Sequence, residues 1–247
     1  TALSAALFFG QTAVAEEKAA EEVKPSHVEM VLVLDESGSM SDLTRDTIGG
    51  FNSMIEKEKK LDVDAHVTTV LFNDQYKMLY NRRELKDVSK MTDKDYTPGG
   101  MTALLDAVGR TIHKMDMVAG IHRKDKGNKV LFVIITDGEE NDSKEYTYAD
   151  VKKLIKDRQE NAGWEFIFLG ANIDAAAAAE NLGIDRDRAV KYKNTGSGVR
   201  ANFKAVAELS DSLAKSGRVS DRWKETVEKD EDDAADKQSA AVTSHRR

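Results

Sequence analysis

Two apolar runs that each end in an aspartate constrain this chain more than any other feature. The first, 28–34, leads directly into Asp35-Glu36-Ser37-Gly38-Ser39; the second, 130–135, leads into Thr136-Asp137-Gly138. Apolar runs of this length between turn residues read as strands buried on both faces, the pattern of a parallel sheet covered by helices. Parallel strands deliver their carboxyl ends to one sheet edge, where open α/β folds form their ligand crevice. Asp35 and Asp137 are therefore expected to meet, although about a hundred residues separate them.

The residue types at that edge have a definite chemistry. Asp35, Ser37 and Ser39 leave the first strand within one glycine-containing turn and offer only hard oxygen donors. That is the ligand set of magnesium, manganese or calcium rather than of zinc or copper. A third stretch, Thr97-Pro98-Gly99-Gly100-Met101-Thr102-Ala103-Leu104-Leu105, places a Gly-Gly turn before a helical pattern. The Thr102 hydroxyl is thus expected at a helix start on the same edge. Taken singly, each residue has an ordinary explanation: a turn or cap hydroxyl for Ser37 and Ser39, an N-cap for Thr102, a turn-forming Asp-Gly for Asp137.

Periodicity predicts the remaining elements. Helical spacing marks 43–59, 102–117, 148–160, 174–182 and 199–214, and strands are expected at 64–73, 76–80, 164–169 and, weakly, 189–193. The Asn73-Asp74 turn is short enough for an antiparallel hairpin. The fold class is α/β: a doubly wound, mostly parallel central sheet with one antiparallel edge strand and helices on both faces.

Together the D-x-S-x-S turn, the Gly-Gly-x-Thr-Ala-Leu segment and the strand-terminal Asp-Gly resemble the metal-ion-dependent adhesion site of von Willebrand factor A (vWA) domains. The resemblance covers 26–217. It extends to a DESGSM strand end, a TDGEEN loop and a W-E-F-x-F-L-G-A-N strand at 164–172, as in small bacterial members. It implies a Rossmann-like three-layer sandwich with metal ligands Asp35, Ser37, Ser39, Thr102 and Asp137. The two serines would bind directly, Thr102 directly in the ligand-competent state, and the aspartates largely through water. Magnesium is the implied ion, with manganese and calcium as alternatives, and the partner is a protein presenting Glu or Asp to the metal. The expected role is protein binding without catalysis. The alternatives are a cytoplasmic subunit of an ATPase- or chaperone-type complex and a magnesium-dependent phosphoester hydrolase using Asp35.

Composition removes other classes. A net charge of −7 argues against nucleic acid, and no run is long enough to span a membrane. The chain has no cysteine, which excludes disulfides, thiolate metal sites and cysteine nucleophiles. The histidines His27, His66, His113, His122 and His245 show no metal-ligand spacing. Glu139, Glu140 and Asp142 read as a solvated loop in preference to a second calcium-type site, and Asn141-Asp142-Ser143 matches a glycosylation sequon. A haloacid-dehalogenase-type phosphatase would need an aspartate where Ser37 stands, and phosphate-loop, nucleophile-elbow and dinucleotide fingerprints are missing.

At the ends, 1–15 reads as the remnant of a signal peptide with a cleavage site after Ala15, and 16–26 as an acidic linker. This implies secretion or a place in the periplasm or cell envelope, and a cytoplasmic one if 1–15 is no signal. The vWA domain is expected over 27–216. The charged segment 217–247, centred on Asp230-Glu231-Asp232-Asp233, is expected to be disordered.

Overall fold

A computed structural model describes residues 27–61, 63–118, 128–220 and 222–230. Within them strand and helix alternate: β1 (His27–Asp35), α1 (Thr44–Lys60), β2 (Ala65–Phe72), β3 (Tyr76–Glu84), α2 (Leu104–Asp116), β4 (Asn128–Thr136), α3 (Tyr148–Asp157), β5 (Glu165–Gly170), α4 (Ala175–Leu182), β6 (Ala189–Lys191) and α5 (Gly196–Ser216). The strands form one sheet in the order β3-β2-β1-β4-β5-β6. Every pairing is parallel except that of β2 with β3. Strand order reverses between β1 and β4, the switch point at which doubly wound sheets open a crevice.

The expected antiparallel edge strand is present and longer than 76–80, because pairing with β2 continues through a bulge to Glu84. Beyond Tyr80 its residues are polar or charged, so apolar alternation gives no sign of the extension.

Period-two alternation along β1 divides the core. Met30, Leu32 and Leu34 pack with Phe51, Phe203 and Val206 of α1 and α5. Val31 and Val33 join Leu105, Val108, Phe132 and Val151 on the other face. Gly50 lets α1 approach α5, since a Cβ there would lie 2.5 Å from the Phe203 ring. α5 itself starts at Thr195, whose hydroxyl accepts the Gly198 amide, and ends at Gly217 in the left-handed conformation.

The packed body runs past the boundary expected at 216. Val219, Trp223 and Val227 are buried in the α1–α5 core layer, and Thr226 Oγ1 donates to Glu208 Oε2 at 3.1 Å. The charged average of 217–247 conceals this stripe: three apolar residues four apart, separated by solvent-facing charges, suffice to dock one short segment. Disorder is thus corrected for 217–220 and 222–230. The remaining tail, the linker and the signal-peptide segment lie outside the described residues.

One buried charge sits in the same layer. Glu58 of α1 is fully buried; its Oε2 accepts the Ser210 hydroxyl of α5 at 2.8 Å, while Oε1 has no partner among the described residues. Burial pushes its carboxyl from 4.5 up to about 7.

Two stability measurements follow from this packing. The folded state keeps the Glu58 proton to higher pH than the unfolded chain does, so stability falls as pH rises through the interval between the two pKa values and then levels. The loss is up to about 3 kcal/mol. Glu58→Gln is expected to match wild type near pH 4 and to exceed it near pH 8 in urea unfolding; parallel curves for the two proteins would contradict the assignment. Trp223→Ala should cost about 3–5 kcal/mol, whereas a residue in an undocked tail would cost nothing measurable.

Candidate metal centre

Asp35 ends β1 with both carboxylate oxygens occupied. Oδ1 accepts the Ser37 amide at 2.7 Å and Oδ2 the Thr136 hydroxyl at 2.6 Å. Its carbonyl accepts the Tyr96 hydroxyl at 2.6 Å. Burial pushes the Asp35 carboxyl above the usual carboxylate range; the bonds from Ser37 and Thr136 pull it back, and the charge of Asp137 adds to the rise.

From Asp35 the polar chain continues outward. Ser37 Oγ lies 3.1 Å from Ser39 Oγ, and Ser39 Oγ donates to Asp137 Oδ1 at 2.5 Å. Asn194 Nδ2 donates to the other Asp137 oxygen at 3.4 Å, and Asn172 Nδ2 to the Asp137 carbonyl at 3.2 Å. Asn172 adopts φ 57°, a left-handed conformation that asparagine tolerates better than most residues. Asp35, Asp137 and Ser37 are almost wholly buried, whereas Ser39 is exposed.

The Gly-Gly strap closes the site from the side. Gly38 N–H donates to the Gly100 carbonyl at 3.2 Å, and Gly99 N–H to the Glu36 carbonyl at 2.9 Å. Gly100 has φ 75°, and a Cβ on it would fall 1.9 Å from Asp74 Oδ1, so glycine is required there.

Thr102 does not cap α2, contrary to the sequence expectation. The helix begins at Leu104, and Ala103 at its N-cap makes no side-chain bond. The 140–143 loop satisfies the free amides instead: Glu140 Oε2 accepts from Leu105 N–H at 3.0 Å and Ser143 Oγ from Asp106 N–H at 3.1 Å. Thr102 is held by its backbone, its N–H donating to Asn141 Oδ1 at 2.8 Å and its carbonyl accepting the Asn141 amide at 3.0 Å. The structure therefore joins Asp35, Ser37, Ser39 and Asp137 in one hydrogen-bonded chain, with Thr102, 4% exposed, attached through loop backbone.

The same loop settles other residues. Glu140 is occupied by amides and the Ser143 hydroxyl, a structural role in place of a second ion site. Glu36 accepts the Thr97 amide and lies 3.8 Å from Lys77. Tyr148 borders a cleft of about 290 Å³ with Gly138, Glu139 and Ile173, while Tyr146 packs against Gly109 of α2. Sequence reasoning missed Thr136, Tyr96 and Asn194 as supports of the site; Thr136, directly before Asp137, carried the only local signal.

The donor set fits a small hard cation. Every partner of the two aspartate side chains is neutral, whether amide, hydroxyl or carboxamide. The buried Asn194 Oδ1 has no partner among the described residues. Neighbouring oxygens around an octahedral magnesium lie about 2.9 Å apart; the Ser37 and Ser39 hydroxyls are 3.1 Å apart. Ligand type and spacing are those that a hard divalent cation accepts.

Comparisons with known proteins fit this architecture. Residues 27–184 match the family model vWA-TerF-like, described as the vWA domain found in the TerF C terminus. The open form of the pilus adhesin SpaC from Lactobacillus rhamnosus GG superposes with a TM-score of 0.60 at 14% identity, over 78% of this chain and 31% of that one. The vWF domain of the type V pili tip protein Mfa5 from Porphyromonas gingivalis gives 0.54 at 12% identity, over 80% and 99%. The PilB minor pilin from Streptococcus sanguinis gives 0.53 at 13% identity, over 76% and 62%. The chain thus spans less than two thirds of the SpaC and PilB chains. No curated protein matches the sequence. Among the described residues no helix is long and apolar enough to cross a membrane. With its family model covering well over half of its length, the chain belongs to the vWA-TerF-like family of von Willebrand factor A domains.

Proposed function

We propose that this domain binds a protein partner through a divalent cation, magnesium in the first instance, held by Asp35, Ser37, Ser39, Thr102 and Asp137. The observation that carries the reading is the pairing of two buried carboxylates, Asp35 and Asp137, with partners that are all neutral. Buried charge of one sign without a counter-charge is costly, and a cation at this edge removes that cost. When bound, the ion supplies an electrophilic position to which a Glu or Asp of the partner adds its oxygen. The residues of the chain do the rest: Thr136 and the Ser37 amide fix Asp35, Asn172 and Asn194 fix Asp137, and Asn141 holds the backbone of Thr102.

The cleft bordered by Tyr148 and Ile173 gives a partner apolar surface next to the ion. A role at the cell envelope is part of the proposal; the pilus adhesin and pilus tip proteins that share the fold support it, as does the 1–15 segment. Catalysis is not. Of the carboxylates next in sequence to the site that a hydrolase could use as general base, Glu36 is engaged by Thr97 and Lys77 and Glu139 stands exposed in the loop.

Three measurements test the reading. Magnesium at a hundred times its dissociation constant should stabilise the wild-type domain by about 2.7 kcal/mol in thermal unfolding. Ser37→Ala/Ser39→Ala should lose this shift while keeping its far-ultraviolet circular dichroism. In cell lysate the wild type with magnesium should retain a partner that both chelation and the double variant release. Retention indifferent to both would move the binding surface elsewhere. Phosphoester hydrolysis above background that disappears in Asp35→Asn would overturn the non-catalytic reading.

A further inference from the structure

At the opposite end of β1 the strand carries its one other acidic residue, Glu29. Six residues at about 3.3 Å each put it about 20 Å from Asp35. Register aligns Glu29 with His66 on β2, and His27 lies two residues before it on the same face of β1. Three ligand-type atoms converge there: His27 Nε2 and Glu29 Oε1 at 3.3 Å, His66 Nδ1 and Glu29 Oε1 at 3.2 Å, His27 Nε2 and His66 Nδ1 at 2.9 Å. We infer that His27, Glu29 and His66 form a second metal site, of the zinc class, at the amino-terminal edge of the sheet.

The geometry of the triangle supports this. Ligands at about 2.0–2.1 Å around tetrahedral zinc stand about 3.3–3.4 Å from one another. Two of the three edges already have nearly that length, and the third needs to open by about 0.4 Å, a small rotation of two partly exposed imidazoles. The rings meet edge to face, with centroids 4.7 Å apart and planes at 65°.

Two of the three ligands also have a support of the kind that metal sites use. His27 turns its other nitrogen, Nδ1, to Asp64 Oδ1 at 3.0 Å, the carboxylate–imidazole arrangement that fixes a ring with its Nε2 toward a metal. Glu29, 3% exposed, is held by Arg82, whose Nε donates to Oε2 at 3.0 Å and whose Nη2 reaches Oε1. Arg82 is placed there by the β2–β3 bulge and has φ 46°, a strained conformation for a residue of its kind. Nη2 also lies 3.2 Å from His66 Nδ1, so an ion taken up by the triangle would keep the Arg82 Nε bond to Oε2 and displace Nη2 from both Oε1 and His66 Nδ1. Two imidazoles and one carboxylate select zinc and its transition-metal neighbours over magnesium, so the site is chemically distinct from the oxygen-only edge. Three protein ligands leave the fourth position to water, and the ion would staple the start of β1 to β2.

Equilibrium dialysis of the full chain, prepared without a histidine tag, against zinc chloride in the presence of excess magnesium tests the assignment. Wild type and Ser37→Ala/Ser39→Ala are expected to retain one equivalent of zinc alike. His66→Gln should bind at least about tenfold more weakly, and Asp64→Asn, which removes only the support of His27, about tenfold more weakly. Cobalt in place of zinc should give the intense visible absorption of a four-coordinate ion in wild type and lose it in His66→Gln. Far-ultraviolet circular dichroism checks the fold of each variant. Zinc held equally by wild type and His66→Gln, or by neither, would overturn the inference.

Discussion

Asp35 accepts two hydrogen bonds at the point where strand order reverses: that from the Thr136 hydroxyl joins the carboxyl ends of β1 and β4, and that from the Ser37 amide sets the turn leaving β1. Their effect reaches in both directions. Inward, they give a buried carboxylate neutral partners, without which the end of the most central strand would carry an unsolvated charge. Outward, they fix where Ser37 leaves the strand, and hence where Ser39 meets Asp137. Burial still raises the Asp35 carboxyl above its usual range. The two aspartate side chains are thus satisfied in hydrogen bonding while the edge remains short of positive charge.

Much of this was legible in the sequence because it follows from few rules. An apolar run flanked by turns is a buried strand, buried strands with helical crossovers are parallel, and parallel strands bring Asp35 and Asp137 to one edge. The helix-start position of Thr102 was not legible. It depends on whether α2 caps itself or borrows its cap, and Glu140 and Ser143 from a loop about forty residues onward supply the acceptors. Trp223 and Val227 escaped for a different reason: composition averages over a segment, while docking needs only one stripe on it. The triangle at the other edge was hidden by spacing. His27 and His66 are 39 residues apart, and only the in-register alignment of Glu29 with His66 turns that separation into contact.

Backbone strain points the same way as chemistry. Among the described residues two non-glycines have positive φ, Arg82 and Asn172. Asn172 supports the Asp137 carbonyl at the carboxyl edge; Arg82 supports Glu29 at the amino edge. Each left-handed residue costs roughly a kilocalorie or more per mole unless it can be accommodated locally, and such residues persist where the surrounding structure over-determines them. Their coincidence with the two polar clusters argues that both clusters are positioned parts of the fold and not accidents of surface charge.

β1 explains why there are two such clusters and why they lie where they do. Its interior residues, Met30 to Leu34, are buried on both faces of the sheet, so polar groups can be carried only at its ends. The two ends differ in what surrounds them. At the carboxyl edge, loops supply hydroxyls and amides; at the amino edge, neighbouring strands β2 and β3 supply imidazole and guanidinium. Hydroxyl and carboxylate oxygens suit a hard ion, and imidazole nitrogens suit a borderline one. A single buried strand therefore separates two donor sets by about 20 Å and by ligand hardness. Ions occupying the two edges would not compete, and loss of one site would leave the ligands of the other untouched.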